Sequence, residues 1–211
     1  MIITIAGNYG SAGLPVGRTA AELMNYRILD DETVEKMLIK LNLDIDPDDF
    51  RYYDENQGNM PLSALRRVSA VSNASNVRHY FSHSEMRLPL ETRFVDAVRK
   101  ITLEFAKDGN CIMVGRSAGY FLKPNKDLIC IFTTDDTSIR EQRTREFFGC
   151  DEAEAAKLVR SGDKRRAEYS KYFTGSKTWG DPKHYDYILR TSTLGIEGTA
   201  KLIQAMASIR K

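Results

Sequence analysis

Cysteine is scarce in this sequence. Cys111, Cys130 and Cys150 are odd in number, widely spaced and without a C-x-x-C pair. That pattern excludes a disulfide framework and argues against a structural zinc site. Cys111 and Cys130 sit in apolar, strand-like runs, so buried reduced thiols are expected. An excess of one charge is also lacking. Lys and Arg number 31 against 29 Asp and Glu, a net charge of +2, too small to point to a nucleic-acid partner. No apolar run approaches membrane-spanning length. The first residues lack the basic region, apolar stretch and cleavage site of a secretory leader, because glycine and polar residues follow Ala6. A cytoplasmic protein with no membrane association is expected. Only 3 histidines occur. His79 and His83 are four apart, a spacing that suits metal on a helix, but no third ligand is fixed nearby. Exposed helix residues are the plainer reading, and no side-chain metal site is expected. Internal repeats and low-complexity segments are absent too.

What remains is ordinary globular material, 42% hydrophobic and 28% charged, enough for one α/β domain over residues 1–211. The chain is organised around its first 24 residues. Ile2, Ile3 and Ile5 form a short apolar run with β-branched side chains, the pattern of a strand buried on both faces. A run rich in Gly, Ser and Ala follows, Gly7–Gly13. A helical pattern then begins, with Pro15 in its first turn and Val16, Ala20 and Leu23 at helical spacing. Strand, glycine-rich loop and helix form the layout of a phosphate-binding loop, in which backbone N–H groups and the helix N-terminus face an anion. The plainer reading is a tight strand-to-helix turn. The usual G-x-x-x-x-G-K-[ST] is incomplete: Leu14 and Pro15 stand where a Lys and a hydroxyl would be.

Further along, Tyr26–Leu29 reads as a short strand, and Asp30 or Asp31 caps a helix with Val34, Met37, Leu38 and Leu41 on one face. Asp44–Met60 is polar and acidic and looks the least structured. Leu62–Tyr80 carries a moderate helix signal through Leu65, Val68, Val71 and Val77, residues that suit a partner as well as the core. Leu90, Phe94, Val98, Ile101 and Phe105 define a clearer helix ending at Asp108–Asn110. Cys111–Val114 and Leu128–Phe132 are buried strands. Asp136 opens a basic helix with Arg140, Arg143 and Arg145. Asp151 with Glu154 resembles a capping box for a long helix through Tyr172. Thr174–Tyr185 reads as a loop, Tyr185–Leu189 as the last strand, and a final helix runs to Ile209. Alternation of strands and helices predicts a parallel sheet with helices on both faces, and ligands in such sheets bind beyond the carboxyl ends of the strands. Those ends are Gly7–Gly13, Gly115–Gly119, Thr133–Thr134 and Arg190–Thr193.

Two further features suit phosphate chemistry. Arg116 follows a buried strand, where a guanidinium fork can hold an acceptor phosphate; a surface ion pair is the plainer role. The segment Arg160–Arg166, with Lys164 and Arg165, leads into Tyr169, Tyr172, Lys177 and Trp179. A basic lid neutralises charge on a moving phosphoryl group and excludes water, whereas a solvated helix face is the plainer account.

The segments Ile3–Gly13, Val114–Ala118, Asp163–Arg166, Tyr172–Gly175, Trp179–Asp181, Tyr185–Asp186 and Thr191–Gly198 resemble the cytidylate kinase-like family of P-loop proteins. The likeness runs nearly end to end and is weakest from Asp44 to Met86. It implies a P-loop NTPase three-layer α/β fold of the nucleoside monophosphate kinase type, with a five-stranded parallel sheet. An acceptor-side insertion would lie at about 44–86 and a helical lid at about 160–182. It implies ATP and Mg²⁺ at a loop formed by Gly7, Tyr9, Gly10, Ser11, Ala12, Gly13 and Leu14. A monophosphate acceptor, CMP or dCMP, would sit near Gly115 and Arg116. Arg160, Lys164, Arg165 and Arg166 would be the catalytic cations, with Thr191 and Ser192 on the adenine side. Small-molecule nucleotides are the implied partners, and a homo-oligomer is compatible. Because Lys and a hydroxyl are missing after Gly13, two other readings stay open: a nucleotide- or phosphate-binding protein with little kinase activity, and a kinase of a non-nucleotide acceptor. Arg18, one turn into the helix, and Asp135 or Asp136, at a strand end, are candidates to replace the missing charge and the metal-shell carboxylate.

Overall fold

The computed structural model describes residues 1–55, 90–175 and 179–210. In chain order it contains β1 (Ile2–Gly7), α1 (Gly13–Met24), β2 (Arg27–Leu29), α2 (Asp31–Lys40), α3 (Pro47–Glu55), α4 (Leu90–Ala106), β3 (Cys111–Val114), α5 (Ala118–Leu122), β4 (Leu128–Thr134), α6 (Thr137–Phe148), α7 (Glu152–Thr174), a 3₁₀ turn (Pro182–His184), β5 (Tyr187–Arg190) and α8 (Thr191–Ile209). The helix signal at 62–80, both of His79 and His83, Lys177 and most of the 44–86 insertion lie outside the described residues.

The five strands pair in the order β2-β3-β1-β4-β5, all parallel. Alternate residues of each strand face opposite layers, which explains the uninterrupted apolar runs. Ile3, Ile5, Ile129 and Ile131 pack with Val16 and Ala20 of α1 and with Ala200 and Ile203 of α8. Burying each isoleucine contributes about 1.5–3 kcal/mol. Ile2 and Leu128 face the other layer, where Phe94, Val98 and Ile101 of α4 join Tyr169 and Phe173 of α7. An aromatic cluster ties that layer together, Phe173 standing 4.5 Å from Tyr169 and 5.4 Å from Phe121 between ring centroids.

The connection β1–α1–β2 steps over β3, whereas β3–α5–β4 crosses to the opposite side of β1. The chain therefore reverses direction at the carboxyl end of β1, which opens a crevice there. Register fixes the neighbours of that end: Ile5 pairs with Val114, Gly7 with Thr133, and Thr134 with Arg190.

Three expectations need correction. The acidic stretch after Asp44 contains helix α3: Pro47 takes its first position, the Asp46 carboxylate accepts from the Asp48 N–H, and Phe50 is buried 5.0 Å from Phe94. The loop placed from Thr174 begins later, because α7 runs through Thr174 and stops at Gly175 in the left-handed conformation. Leu23 is 40% exposed, so the apolar face of α1 is narrower than its spacing suggests. The capping of α7 is as expected, the Asp151 carboxylate accepting from the Glu154 N–H at 2.8 Å.

Candidate functional site

The loop between β1 and α1 lies at the crevice. Gly10 (φ 77°) and Ala12 (φ 59°) both adopt left-handed backbone, which curls the chain into a concave turn. Ala12 holds the N-cap position of α1 and makes no side-chain cap. The N–H groups of Gly13 and Leu14 therefore have no intrahelical acceptor and no cap, and the helix dipole adds positive potential there. Pro15 has no N–H to leave unpaired. This much suits a phosphate group.

Glycine at two positions is required by packing. A Cβ on Gly7 would lie 2.1 Å from Thr133 Oγ1, and one on Gly10 would lie 2.7 Å from the Arg140 carbonyl oxygen. Ser11, 1% exposed, shares a 2.8 Å hydrogen bond between its hydroxyl and that of Thr133.

Arginines from two helices hold the loop's carbonyls. Arg166 donates to the Gly7 carbonyl at 2.8 Å and its guanidinium lies 5.3 Å from the centre of the Tyr9 ring. Arg140 donates to the Tyr9 carbonyl at 3.1 Å and to the Asp163 carboxylate at 2.7 Å. Asp163 in turn accepts from the Tyr9 N–H at 2.7 Å. Arg143 lies 3.4 Å from the Gly10 carbonyl and pairs with Asp135. Burial lowers the pKa of Arg166, with Asp163 and Tyr9 acting the other way. Helix α7 is seated closely on the loop: a Cβ on Gly162 would lie 2.4 Å from the Tyr9 ring.

Asp135 forms a second support. Its side chain is fully buried. It accepts from Arg143, from the Thr191 hydroxyl 2.6 Å away, and from both the N–H and the hydroxyl of Ser192. Thr191 Oγ1 also lies 3.0 Å from the Ser11 carbonyl. Burial raises the Asp135 pKa, but the hydrogen bonds from Ser192, Thr191 and Arg143 outweigh it and hold the carboxyl below its ordinary value.

The other expected residues fall into place as follows. Gly115 (φ 79°), Arg116 (φ 53°) and Ser117 (φ 51°) form a left-handed turn after β3, and Arg116 pairs with Asp31 at the start of α2. Thr191 and Ser192 are committed to Asp135, so they brace the loop's underside. Arg160 is exposed, Lys164 is exposed and lies 3.9 Å from Glu168, and Arg165 is half-buried. Arg18 does not reach the loop: it pairs with Asp30 at 3.4 Å, and both line a groove of about 430 Å³ between α1 and β2. Asp136 takes the N-cap position of α6 without a side-chain cap and pairs with Arg190. Asp135 is no metal ligand here, since every oxygen is engaged by protein donors. Among the described residues no group of His, Cys, Asp and Glu could hold a metal ion, and no helix is long and apolar enough to cross a membrane. Burial pushes the Cys111 thiol up to about 11, in keeping with an inert buried thiol.

The sequence singles out Arg140 and Arg143 only as part of a basic helix, Thr133 only as a strand end and Asp163 only within a segment of family resemblance, and it assigns none of them to the loop. Their spacing carries a signal: Arg140, Arg143 and Thr144 share the helix face that meets the loop.

No curated protein sequence matches the chain significantly. Solved structures that resemble it include an uncharacterized protein from Eubacterium ventriosum, 20% identical, with a TM-score of 0.63 over 99% of this chain and 98% of that one. A shikimate kinase from Acinetobacter baumannii in complex with shikimate is 15% identical with a TM-score of 0.52, covering 100% of this chain and 94% of the other. A shikimate kinase from Bacteroides thetaiotaomicron is 12% identical with a TM-score of 0.54, covering 99% and 98%. These likenesses establish a P-loop NTPase-like, kinase-like fold. The model of the cytidylate kinase-like family matches residues 2–193, and the chain belongs to that family.

Proposed function

We propose that the chain transfers a phosphoryl group from ATP to a small phosphorylated acceptor, with CMP or dCMP as the first candidates. The observation that carries this reading is the β1–α1 loop. It lies at the switch point of the sheet, its left-handed residues and uncapped helix end are suited to phosphate, and basic side chains surround it. In this reading Gly10, Ala12, Gly13 and Leu14 hold the nucleotide phosphates through N–H groups. Arg116 holds the acceptor phosphate through its fork. The exposed Arg160 and Lys164 and the half-buried Arg165 of α7 are the cations available to the moving group, because Arg166 is engaged with Gly7. Mg²⁺ would come bound to the nucleotide phosphates and water: Pro15 supplies no hydroxyl, Ser11 is bonded to Thr133, and Asp135 is saturated, so the described side chains do not fit as its ligands. The test is a coupled ATP-consumption assay over a panel of nucleoside monophosphates. Turnover with a pyrimidine monophosphate is expected, and no turnover on any acceptor by folded protein overturns the reading.

Leu14 favours a second reading, nucleotide binding with little transfer. Where a Lys on the β- and γ-phosphates is lacking, transfer is slowed by orders of magnitude unless another cation substitutes. Under this reading ATP raises the melting temperature without turnover, and Leu14→Lys raises activity strongly. Calorimetry that detects no nucleotide at millimolar concentration rules it out.

A further inference from the structure

Planar trans peptides link each carbonyl to the next residue's N–H: the two point in opposite directions. Anchoring a carbonyl therefore aims an N–H. In the β1–α1 loop the Tyr9 carbonyl is held by Arg140, which turns the Gly10 N–H the opposite way. The Ser11 carbonyl faces Thr191, which turns the Ala12 N–H away from that hydroxyl. The Gly7 carbonyl is held by Arg166, and the Asn8 N–H on the far side of that peptide donates to the Thr133 carbonyl at 3.0 Å. Tyr9 is gripped at both ends, since its own N–H donates to Asp163, the carboxylate that also binds Arg140.

Both terminal nitrogens of Arg140 are engaged by protein acceptors, and its Nε is buried with no hydrogen-bond partner among the described residues. One terminal nitrogen of Arg140 carries two protons and serves two acceptors, Tyr9 and Asp163, while the other donates to Thr137 at 3.3 Å. The Arg140 side chain is only 9% exposed. Arg166 is half-buried, with Gly162 packed against the neighbouring Tyr9 ring.

We infer that Arg140 and Arg166 are positioning residues: they act on bound phosphate through the loop, Arg140 by fixing the Tyr9 carbonyl so that the Gly10 N–H faces the anion and Arg166 by anchoring the Gly7–Asn8 peptide against β4 at the root of the loop, and neither touches the phosphate itself. The inference rests on the nucleotide-binding reading. It assigns the missing Lys a different kind of substitute, an oriented set of backbone dipoles in place of a side-chain charge. Preorganised donors of this kind need no rearrangement when charge arrives.

The two roles predict different nucleotide selectivity. An arginine that touches the terminal phosphate favours ATP over ADP, whereas one that shapes the loop supports both. The experiment measures ATP and ADP affinities by calorimetry for wild type, Arg166→Gln, Arg166→Lys and Arg140→Gln. Amide NMR shifts of Gly10 and Ala12 are recorded without nucleotide. Each Gln variant is expected to weaken ATP and ADP by the same factor, about 10- to 100-fold, the loss of one hydrogen bond from a charged donor. The two amide signals shift before any ligand is added, and Arg166→Lys, which keeps a charged donor, recovers part of the affinity. A thermal scan confirms that each variant is folded; should Arg140→Gln fail, the Arg166 pair carries the test alone. Loss of ATP affinity with ADP affinity intact overturns the inference, as do unchanged amide shifts in the free variants. Wild type that binds neither nucleotide overturns the nucleotide reading instead, and the amide shifts still decide whether the arginines shape the loop.

Discussion

Two turns leave neighbouring strands at the same edge of the sheet, and both use left-handed backbone. The β1 turn is enclosed. Side chains or backbone from β4, α6, α7 and α8 contact it, and added Cβ atoms on Gly7 and Gly10 would overlap Thr133 and Arg140. The β3 turn is open among the described residues: a Cβ on Gly115 would meet none of them within 4 Å, although φ there is 79°. Glycine is thus required in two ways: at Gly10 by positive φ and by the close Arg140 carbonyl together, at Gly115 by positive φ alone among the described residues. An enclosed turn is suited to holding one geometry for a constant group such as phosphate; the proposed acceptor role belongs to the other turn.

The enclosed turn breaks most severely from below. Asp135→Ala removes the buried carboxylate that Arg143, Thr191 and Ser192 share and leaves the half-buried Arg143 guanidinium without its ion-pair partner. The expected loss is about 3–5 kcal/mol of unfolding free energy in urea titration. Asp135→Asn isolates the charge. A carboxylate whose native pKa lies below its unfolded value, about 3.9, stabilises the fold above that value. That contribution fades as pH falls from about 4 through the lowered native pKa. The stability gap between wild type and Asp135→Asn should therefore be largest above about pH 4 and narrow below it; a gap independent of pH would show that the charge is not what matters.

Gly10→Ala attacks the same turn from above. A methyl group 2.7 Å from the Arg140 carbonyl, on left-handed backbone, should cost about 2–4 kcal/mol, strain and overpacking together. Nucleotide-induced stabilisation should vanish with it. A variant that keeps both stability and nucleotide binding would mean that the loop is less confined than its contacts indicate.

Arg116→Ala tests the open turn. Asp31 is 83% exposed but the Arg116 side chain is only 12% exposed, so its removal should cost about 1.5–3 kcal/mol, more than a surface ion pair does. Loss of a guanidinium fork should raise the KM for a monophosphate acceptor about 10- to 100-fold with the KM for ATP unchanged. If both constants rise together, Arg116 supports the fold and not the acceptor.

How legible these two turns were differs in the same way. The strands, the long helices and the glycine loop follow from β-branched runs, from helical spacing such as Phe94, Val98 and Ile101, and from turn chemistry, all of them local signals. The parallel sheet follows from their alternation. The clamp on the β1 turn was not legible, because it is made of distant pairs: Asp135 with Ser192, Tyr9 with Asp163, Gly7 with Arg166. Charges on every side of α6 concealed which arginines face inward. Helix α3 was hidden by its acidic composition, Phe50 being anchored among many polar neighbours. Arg18 and Asp136 pair with Asp30 and Arg190, partners that spacing along the chain does not reveal.

The smallest effect separates backbone strain from enclosure most cleanly. Gly115→Ala introduces no contact with the described residues, so its cost is the intrinsic penalty of a Cβ at positive φ, about 1–2 kcal/mol. Gly115→Asn should cost less, because a short polar side chain that bonds locally tolerates that region. ATP binding should not change in either variant, since the β1 loop is braced from β4, α6, α7 and α8 and not from Gly115. The decisive quantity is the difference between Gly10→Ala and Gly115→Ala in matched urea titrations. If it is near zero, enclosure adds nothing and the β1 turn is governed by its dihedrals alone; if Gly10→Ala costs clearly more, the excess measures what the surrounding helices contribute to holding the loop in shape.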